Sequence, residues 1–456
     1  DIVFGDWSSD VCSSDLASWG RADVSLPTLI GDNMVLQQGC PLTIWGQARS
    51  GETVTVTING VSGATAAGAD GAWSVVLQAM PAGGPFEMTV VGENTVKLAN
   101  VMIGEVWVCS GQSNMEWRVD KSNDADREVA DANHPEIRLF MVPKETADAP
   151  RTSCGGKWMI CSPETVGPFS AVGYFFGREL QKDRKVAVGL IESAWGGTPA
   201  ESWTTPATMR VFSNLKPILE RWVKILADYP QAQKTYEEAM TQWAKDIEKA
   251  REAGAPKPRK PDKPMGGDHQ YAPGRLYNAM VHPLIQYAVR GVIWYQGESN
   301  ASRAWQYREL FPAMILDWRR AWQNRDMPFL FVQLANYQAR SEQPDPRTTW
   351  AELREAQLMT LALPATGMAV AIDIGEAADI HPRNKQEVGR RLNLAAQAIV
   401  YGRDLVYSGP MYKSMTVAEG KVRLAFDHLG GGLAIASGEK LTGFSIAGAD
   451  QTFVWA

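Results

Sequence analysis

The chain has 456 residues, 45% hydrophobic and 21% charged, with a formal net charge of -6, the profile of a globular protein long enough for two or three domains. No apolar run reaches the ~20 residues that a membrane-spanning helix needs. The charges alternate in sign without a basic stripe, which argues against nucleic acid as a partner.

Taken in chain order, residues 6 to 16 (DWSSDVCSSDL) show no periodicity, no signal-peptide core and no turn logic. They resemble the conceptual translation of a sequencing-adapter oligonucleotide, so residues 1–16, Cys12 included, are set aside as a non-native artefact. Residues 22–100 follow as short β-rich runs such as TVTVTING and WSVVLQA between Gly, Asp and Asn turns, which predicts a small β-sandwich. From residue 101 to 404 apolar strands alternate with helical stretches, the pattern of a parallel sheet covered on both faces. Five strands stand out: VMIGEVWVCS, VAVGLIES, GVIWYQ, FLFVQLAN and GMAVAIDI. Between the second and third, residues 205–270 form an insertion in which Phe212 to Ala253 predicts a helical hairpin, a candidate lid with a Pro- and Lys-rich exit. Residues 405–456 return to short β-segments and end on apolar residues, which reads as a truncated β-domain.

The other four cysteines, Cys40, Cys109, Cys154 and Cys161, are too few for a disulfide framework. Cys154 and Cys161 are compatible with a bridge or with two free thiols. Seventeen tryptophans offer flat faces for sugar rings as well as core packing.

In an open parallel sheet ligands bind beyond the carboxyl ends of the strands, and three of these ends are unusually polar. The first carries Gly111-Gln112-Ser113-Asn114-Met115, where a glycine turn presents a serine at the mouth of a helix and backbone amides face any developing negative charge. The second carries Ser193-Ala194-Trp195-Gly196-Gly197-Thr198, whose glycine pair permits close backbone approach. The third carries Gln296-Gly297-Glu298-Ser299-Asn300. A serine nucleophile needs a base with a pKa near neutrality. Of five histidines only His381 follows a strand, in Asp379-Ile380-His381-Pro382, with Pro382 expected in the first turn of the next helix and Asp379 close enough to orient the imidazole.

GQSNM at 111–115, WYQGESN at 294–300 and DIHPRNKQEVGRRL at 379–392 resemble the sialate O-acetylesterase family of the SGNH hydrolases. KWMICSPETVGPFSAVGYFFGREL and LIESAWGGTPAESW extend the likeness, which runs from about Leu26 to the end of the chain. It implies an α/β, SGNH or flavodoxin-like parallel-sheet domain flanked by β-sandwich domains. The implied chemistry is a Ser-His-Asp acyl-enzyme hydrolysis of carbohydrate acetyl esters, on sialic acid or related glycans, without metal or organic cofactor. Ser113 would be the nucleophile, His381 the base and Asp379 the acid. The usual acid position three residues before the histidine holds Ala378, so Asp373 and Glu376 are alternatives. The Ser113 amide, Gly196 or Gly197, and the Gln296 side chain, with Asn300 in reserve, would form the oxyanion hole. Gln112, Asn114, Trp195, Glu298 and Asn300 are expected to bind substrate, and Trp117, Trp195, Trp203 and Trp294 are candidates for a sugar platform. The substrate class implies a periplasmic or secreted protein. An acetyl xylan or pectin esterase, a lipid-directed SGNH esterase and a non-catalytic carbohydrate-binding protein are the competing readings.

Overall fold

Alternation of buried and exposed residues sets the first strands, as in Thr53–Ile58 and Ala72–Leu77, where every second side chain turns inward. In the computed structural model, which describes residues 23–339, 341–344, 348–435, 438 and 441–456, these belong to a series of seven. They are β1 (Val35–Gln37), β2 (Leu42–Gln47), β3 (Thr53–Ile58), β4 (Val61–Ala66), β5 (Ala72–Leu77), β6 (Gly83–Val91) and β7 (Thr95–Gly111). The expected artefact at 1–16 lies outside the described residues. Strands β2 and β5 pair with each other, whereas β3, β4 and β6 join the main sheet because β6 runs antiparallel to β7. The expected domain break at residue 100 therefore falls inside β7, whose first half pairs with β6 and whose second half pairs with the central parallel strands.

The chain then gives α1 (Ser113–Glu116), α2 (Ala125–Ala130), β8 (His134–Met141), β9 (Trp158–Cys161), α3 (Pro163–Val166), α4 (Ala171–Arg184), β10 (Ala187–Ala194), α5 (Pro206–Val211) and α6 (Lys216–Glu252). It continues through β11 (Gly291–Tyr295), α7 (Ala304–Ala321), β12 (Phe329–Gln333), α8 (Thr349–Met359), β13 (Thr366–Val370) and α9 (Lys385–Ile399). The β14 (Met411–Ala418) and β15 (Lys421–Asp427) hairpin and the β16 (Ser445–Ile446) and β17 (Val454–Trp455) pair follow. The result is an α/β fold around a mixed sheet of order β13-β12-β11-β7-β10-β8-β9, flanked by helices. Strands from β13 to β8 are parallel and only β9 runs against its neighbour. All eight residues of β10 are buried, as a strand covered on both faces requires. Chain order reverses at β7, which lies between β10 and β11, and a crevice opens beyond the carboxyl end of a strand at such a point.

Two expectations change, and the open question of the cysteines resolves. Phe212 to Ala253 does not form a hairpin: α6 is one helix of 37 residues with Pro230 inside it. Its exit folds back, with Trp243 Nε1 donating to Pro258 O and Lys257 lying 5.7 Å from the Trp243 ring. Pro382 does not open a helix, because Asn384 caps α9 by accepting from Glu387 N at 3.1 Å and His381 stays in the preceding loop. Cys154 and Cys161 are free thiols, pushed up by burial to about 11 and about 12 respectively. Among the described residues no helix is long and apolar enough to cross a membrane.

Candidate active site

The turn after β7 is fixed from both sides. Gln112 N donates to Tyr295 O at 3.0 Å and Trp195 N donates to Gly111 O at 3.1 Å, so the ends of β10 and β11 grip the residues before Ser113. Gly111 has φ 142°, and a Cβ there would stand 2.2 Å from Tyr295 O, which leaves glycine as the residue that fits. Gln112 Oε1 accepts the Gly297 and Ser299 amides at 3.3 Å, tying the turn after β11 to the same place. Ser113 is thereby held half-buried at the first position of α1.

The loop between β13 and α9 brings the second half of the pair. His381 Nε2 lies 2.9 Å from Ser113 Oγ, and His381 Nδ1 lies 3.2 Å from Asp379 Oδ1. Asp379 Oδ1 also accepts the His381 backbone amide at 2.9 Å, so the loop turns back on its own carboxylate. A carboxylate can only accept, which puts the imidazole proton on Nδ1 and leaves Nε2 bare toward the serine hydroxyl. Trp117 stacks on the imidazole at 5.1 Å between ring centroids and 18° between planes. Burial, and then the charge of Lys385, lower the His381 pKa; Asp379 and Glu116 oppose them. The two alternative acids are engaged elsewhere: Asp373 makes a bidentate pair with Arg391, and Glu376 Oε1 accepts from Arg383 N.

The sequence profile of the family described as "Carbohydrate esterase, sialic acid-specific acetylesterase" matches residues 103–254 and 264–399, which contain every one of these groups. The chain belongs to this family. It is 32% identical over 428 residues to a sialate O-acetylesterase of Rattus norvegicus, covering 85% of this chain and 75% of the relative. It is 31% identical over 420 residues to the sialate O-acetylesterase of Homo sapiens, covering 84% and 72% respectively. Among solved structures it is similar to a carbohydrate acetylesterase from Xanthomonas citri, with TM-score 0.77 and 37% identity over 95% of this chain and 88% of that one.

The family member's third strand end is arranged differently from the expectation. Gln296 is fully buried, and its Nε2 donates to Asn300 Oδ1 at 2.7 Å and Thr198 O at 3.3 Å, while Tyr307 donates to its Oε1. With both amide hydrogens engaged, Gln296 braces the loop and has no hydrogen left for an oxyanion. Asn300 belongs to the same network: its Nδ2 donates to Glu201 Oε2 at 2.9 Å and its Oδ1 also accepts from Ala200 N. Gly196 N donates to Glu116 Oε2 at 2.5 Å, and Glu116 is paired in turn with Lys144. A Cβ on Gly196 would stand 3.3 Å from Ser113 Cβ, so its role is close approach to the nucleophile. Ser113 N and Gly197 N have no acceptor among the described residues.

Two clefts open beside the residues that follow β10. One of 490 Å³ has Trp195, Lys144, Arg151 and His269 on its walls, and the other, of 370 Å³, has Gly197, Ser299, Trp222, Tyr271 and Arg303. The first turns of α6 wall the second cleft through Ile218, Arg221 and Trp222, so the insertion shapes the site along one side. Of the four platform candidates, Trp203 and Trp294 are fully buried in the core, where no sugar reaches them. Trp117 lies on the imidazole and Trp195 in a cleft. A larger cavity, of 740 Å³, lies near the amino ends of β11 to β13 beside Val289, Pro328 and Ala365, away from this chemistry. Among the described residues no cluster of His, Cys, Asp or Glu is arranged to hold a metal ion. Two neighbours of the pair escape a reading of residue types alone: Glu116, held by Lys144, and Lys385, which is fully buried.

Proposed function

We propose that this protein removes acetyl groups from a carbohydrate by acyl transfer through Ser113. The observation that carries the reading is the chain of contacts Ser113 Oγ, His381 Nε2, His381 Nδ1, Asp379 Oδ1, at 2.9 and 3.2 Å. Ser113 Oγ attacks the acetyl carbonyl carbon while its proton passes to His381 Nε2. The carbonyl electron pair collects on oxygen, where the Ser113 and Gly197 amides donate to it; one well-placed donor of this kind is worth roughly 3 kcal/mol. Collapse breaks the bond to the sugar oxygen, which takes the proton from His381 and leaves as a hydroxyl. Water, deprotonated by the same nitrogen, then attacks the acetyl-enzyme and releases acetate. Asp379 stabilises the imidazolium formed in each half.

The order β10-β7-β11-β12-β13, in which chain order runs 2-1-3-4-5, supports an SGNH-type, flavodoxin-like catalytic unit. We take residues 101–404 as that unit, with 22–100 and 405–456 as flanking β units. The names of the relatives support acetylated sialic acid as substrate, and the walls of the two clefts, with Trp195, Trp222 and Tyr271, suit a sugar ring. A glycan substrate of this class implies work in the periplasm or outside the cell. The test is acetate release from p-nitrophenyl acetate and from acetylated sialoglycan and xylan, with Ser113→Ala and His381→Ala beside the wild type. Both substitutions abolish release if the reading is right; a fully active Ser113→Ala overturns it.

A further inference from the structure

Lys385 has a chemistry that the acyl-transfer steps leave unused. It is fully buried, and its Nζ donates to Asn114 Oδ1 while lying 5.2 Å from the Tyr295 ring centroid and 5.7 Å from that of Trp117. Asn114 is also buried, and its Nδ2 donates to Glu298 Oε1 at 2.6 Å and to Ile380 O at 3.1 Å. Asn114 follows the nucleophile and Ile380 precedes the base. One side-chain amide therefore fastens the residue after Ser113 to the residue before His381.

We propose that Lys385 is a positioning residue for the Ser113–His381 pair, fixing the orientation of the Asn114 amide and setting a positive charge beside the Trp117 ring that stacks on the imidazole. The first half follows from donor and acceptor counts. An amine or ammonium meeting an amide oxygen donates to it, which pins Oδ1 toward Lys385 and turns Nδ2 toward the Glu298 carboxylate and the Ile380 carbonyl. The flipped amide would set its oxygen against those two acceptors in a buried space, where an unmade hydrogen bond is costly. The second half follows from charge. The groups acting on Lys385 are Glu298 from the turn after β11, and Asp379 and Glu376 from the loop before α9; all three favour its ammonium, while burial lowers its pKa to about 7. The charged groups acting on His381 are Lys385 on α9, Asp379 in its own loop and Glu116 on α1, and of these only Lys385 favours the neutral base.

The inference rests on the acyl-transfer reading, and the experiment separates the two. Lys385→Met removes donor and charge; Lys385→Gln keeps a donor and removes the charge. Acetate release, kcat and KM are followed against pH, with thermal melts to establish folding and Ser113→Ala as the independent check on the reading itself. Misplacement of the base by ~1 Å costs on the order of a hundredfold, so Lys385→Met lowers kcat by roughly ten- to a hundredfold while KM changes little. Lys385→Gln retains more of kcat. In both variants the acid limb of the kcat/KM profile moves to higher pH, because the imidazole gains protons more readily without the Lys385 charge. Loss of packing alone would lower kcat without moving that limb. If Lys385→Met does not fold, Lys385→Gln and Asn114→Ala decide: the first moves the limb upward, and the second lowers kcat. A wild-type acid limb in every folded Lys385 variant, or an Asn114→Ala with wild-type kcat, overturns the proposal even when Ser113→Ala is inactive.

Discussion

Asp379→Asn isolates the charge of the residue proposed as third member of the triad. The substitution keeps an oxygen for the His381 backbone amide at 2.9 Å and for His381 Nδ1, so the loop can hold its shape while the negative charge is lost. The Asp379 side chain is 40% exposed, which places its field between bulk water and a surface pair. An effective dielectric of about 40 over the 3.2 Å contact gives roughly 2.6 kcal/mol of imidazolium stabilisation, or about 80-fold in rate. That is well short of the ~10⁴-fold known for a buried aspartate in a serine protease. Stopped-flow hydrolysis of p-nitrophenyl acetate gives kcat directly, and the pH profile supplies a second sign. Asp379 raises the His381 pKa, so its removal lowers that pKa and moves the acid limb to lower pH even as kcat falls. A variant with kcat within threefold of wild type, or a limb displaced upward, would refute Asp379 as the partner of the base. Asp373→Asn, which breaks the Arg391 pair instead, is expected to leave kcat unchanged.

In the wild type, the proposed mechanism requires neutral His381, whose pKa is held below 6.5 by burial and Lys385. Activity is therefore full at neutral pH and lost only as the pH falls through a midpoint under 6.5; a midpoint at 7 or above contradicts that sign. Trp117→Ala removes the ring stacked on the imidazole, an interaction worth about 0.5–1.5 kcal/mol, and is expected to lower kcat for p-nitrophenyl acetate by roughly two- to tenfold. Gly389→Ala tests the fold instead. Its Cβ would stand 2.6 Å from Phe176 N where α4 meets α9, and overpacking of this kind costs roughly 1–3 kcal/mol, read as a lower denaturant midpoint.

The parallel strands β7 and β10 to β13 were legible because a buried strand writes itself as an unbroken apolar run, and the polar residues at their ends marked where ligands meet the sheet. Ser113 and His381 stand at such ends, and their contact across 268 positions of sequence is what the parallel topology brings about. Side-chain direction within a loop is not written in the same way. Gln296 and Asn300 carry the polar groups of donors, yet they bond to each other and to Glu201 and Thr198. Lys385 stands among polar residues in NKQEVGRR, and only its contacts with Asn114, Tyr295 and Trp117 reveal it as buried. Trp203 and Trp294 pack against each other at 6.1 Å, a use of tryptophan that composition cannot separate from a sugar platform. Pro230 marks a break in a helix by propensity, but α6 runs through it.

The central claim is that Ser113 carries the acetyl group between the two half-reactions. Rapid quenching of the enzyme with p-nitrophenyl acetate at acidic pH, followed by proteolysis and mass spectrometry, tests it most directly. An acetyl adduct on Ser113 that forms in the burst, decays at the turnover rate and is absent from Ser113→Ala is the predicted result. An adduct on another residue, or steady turnover in Ser113→Ala, would contradict the account.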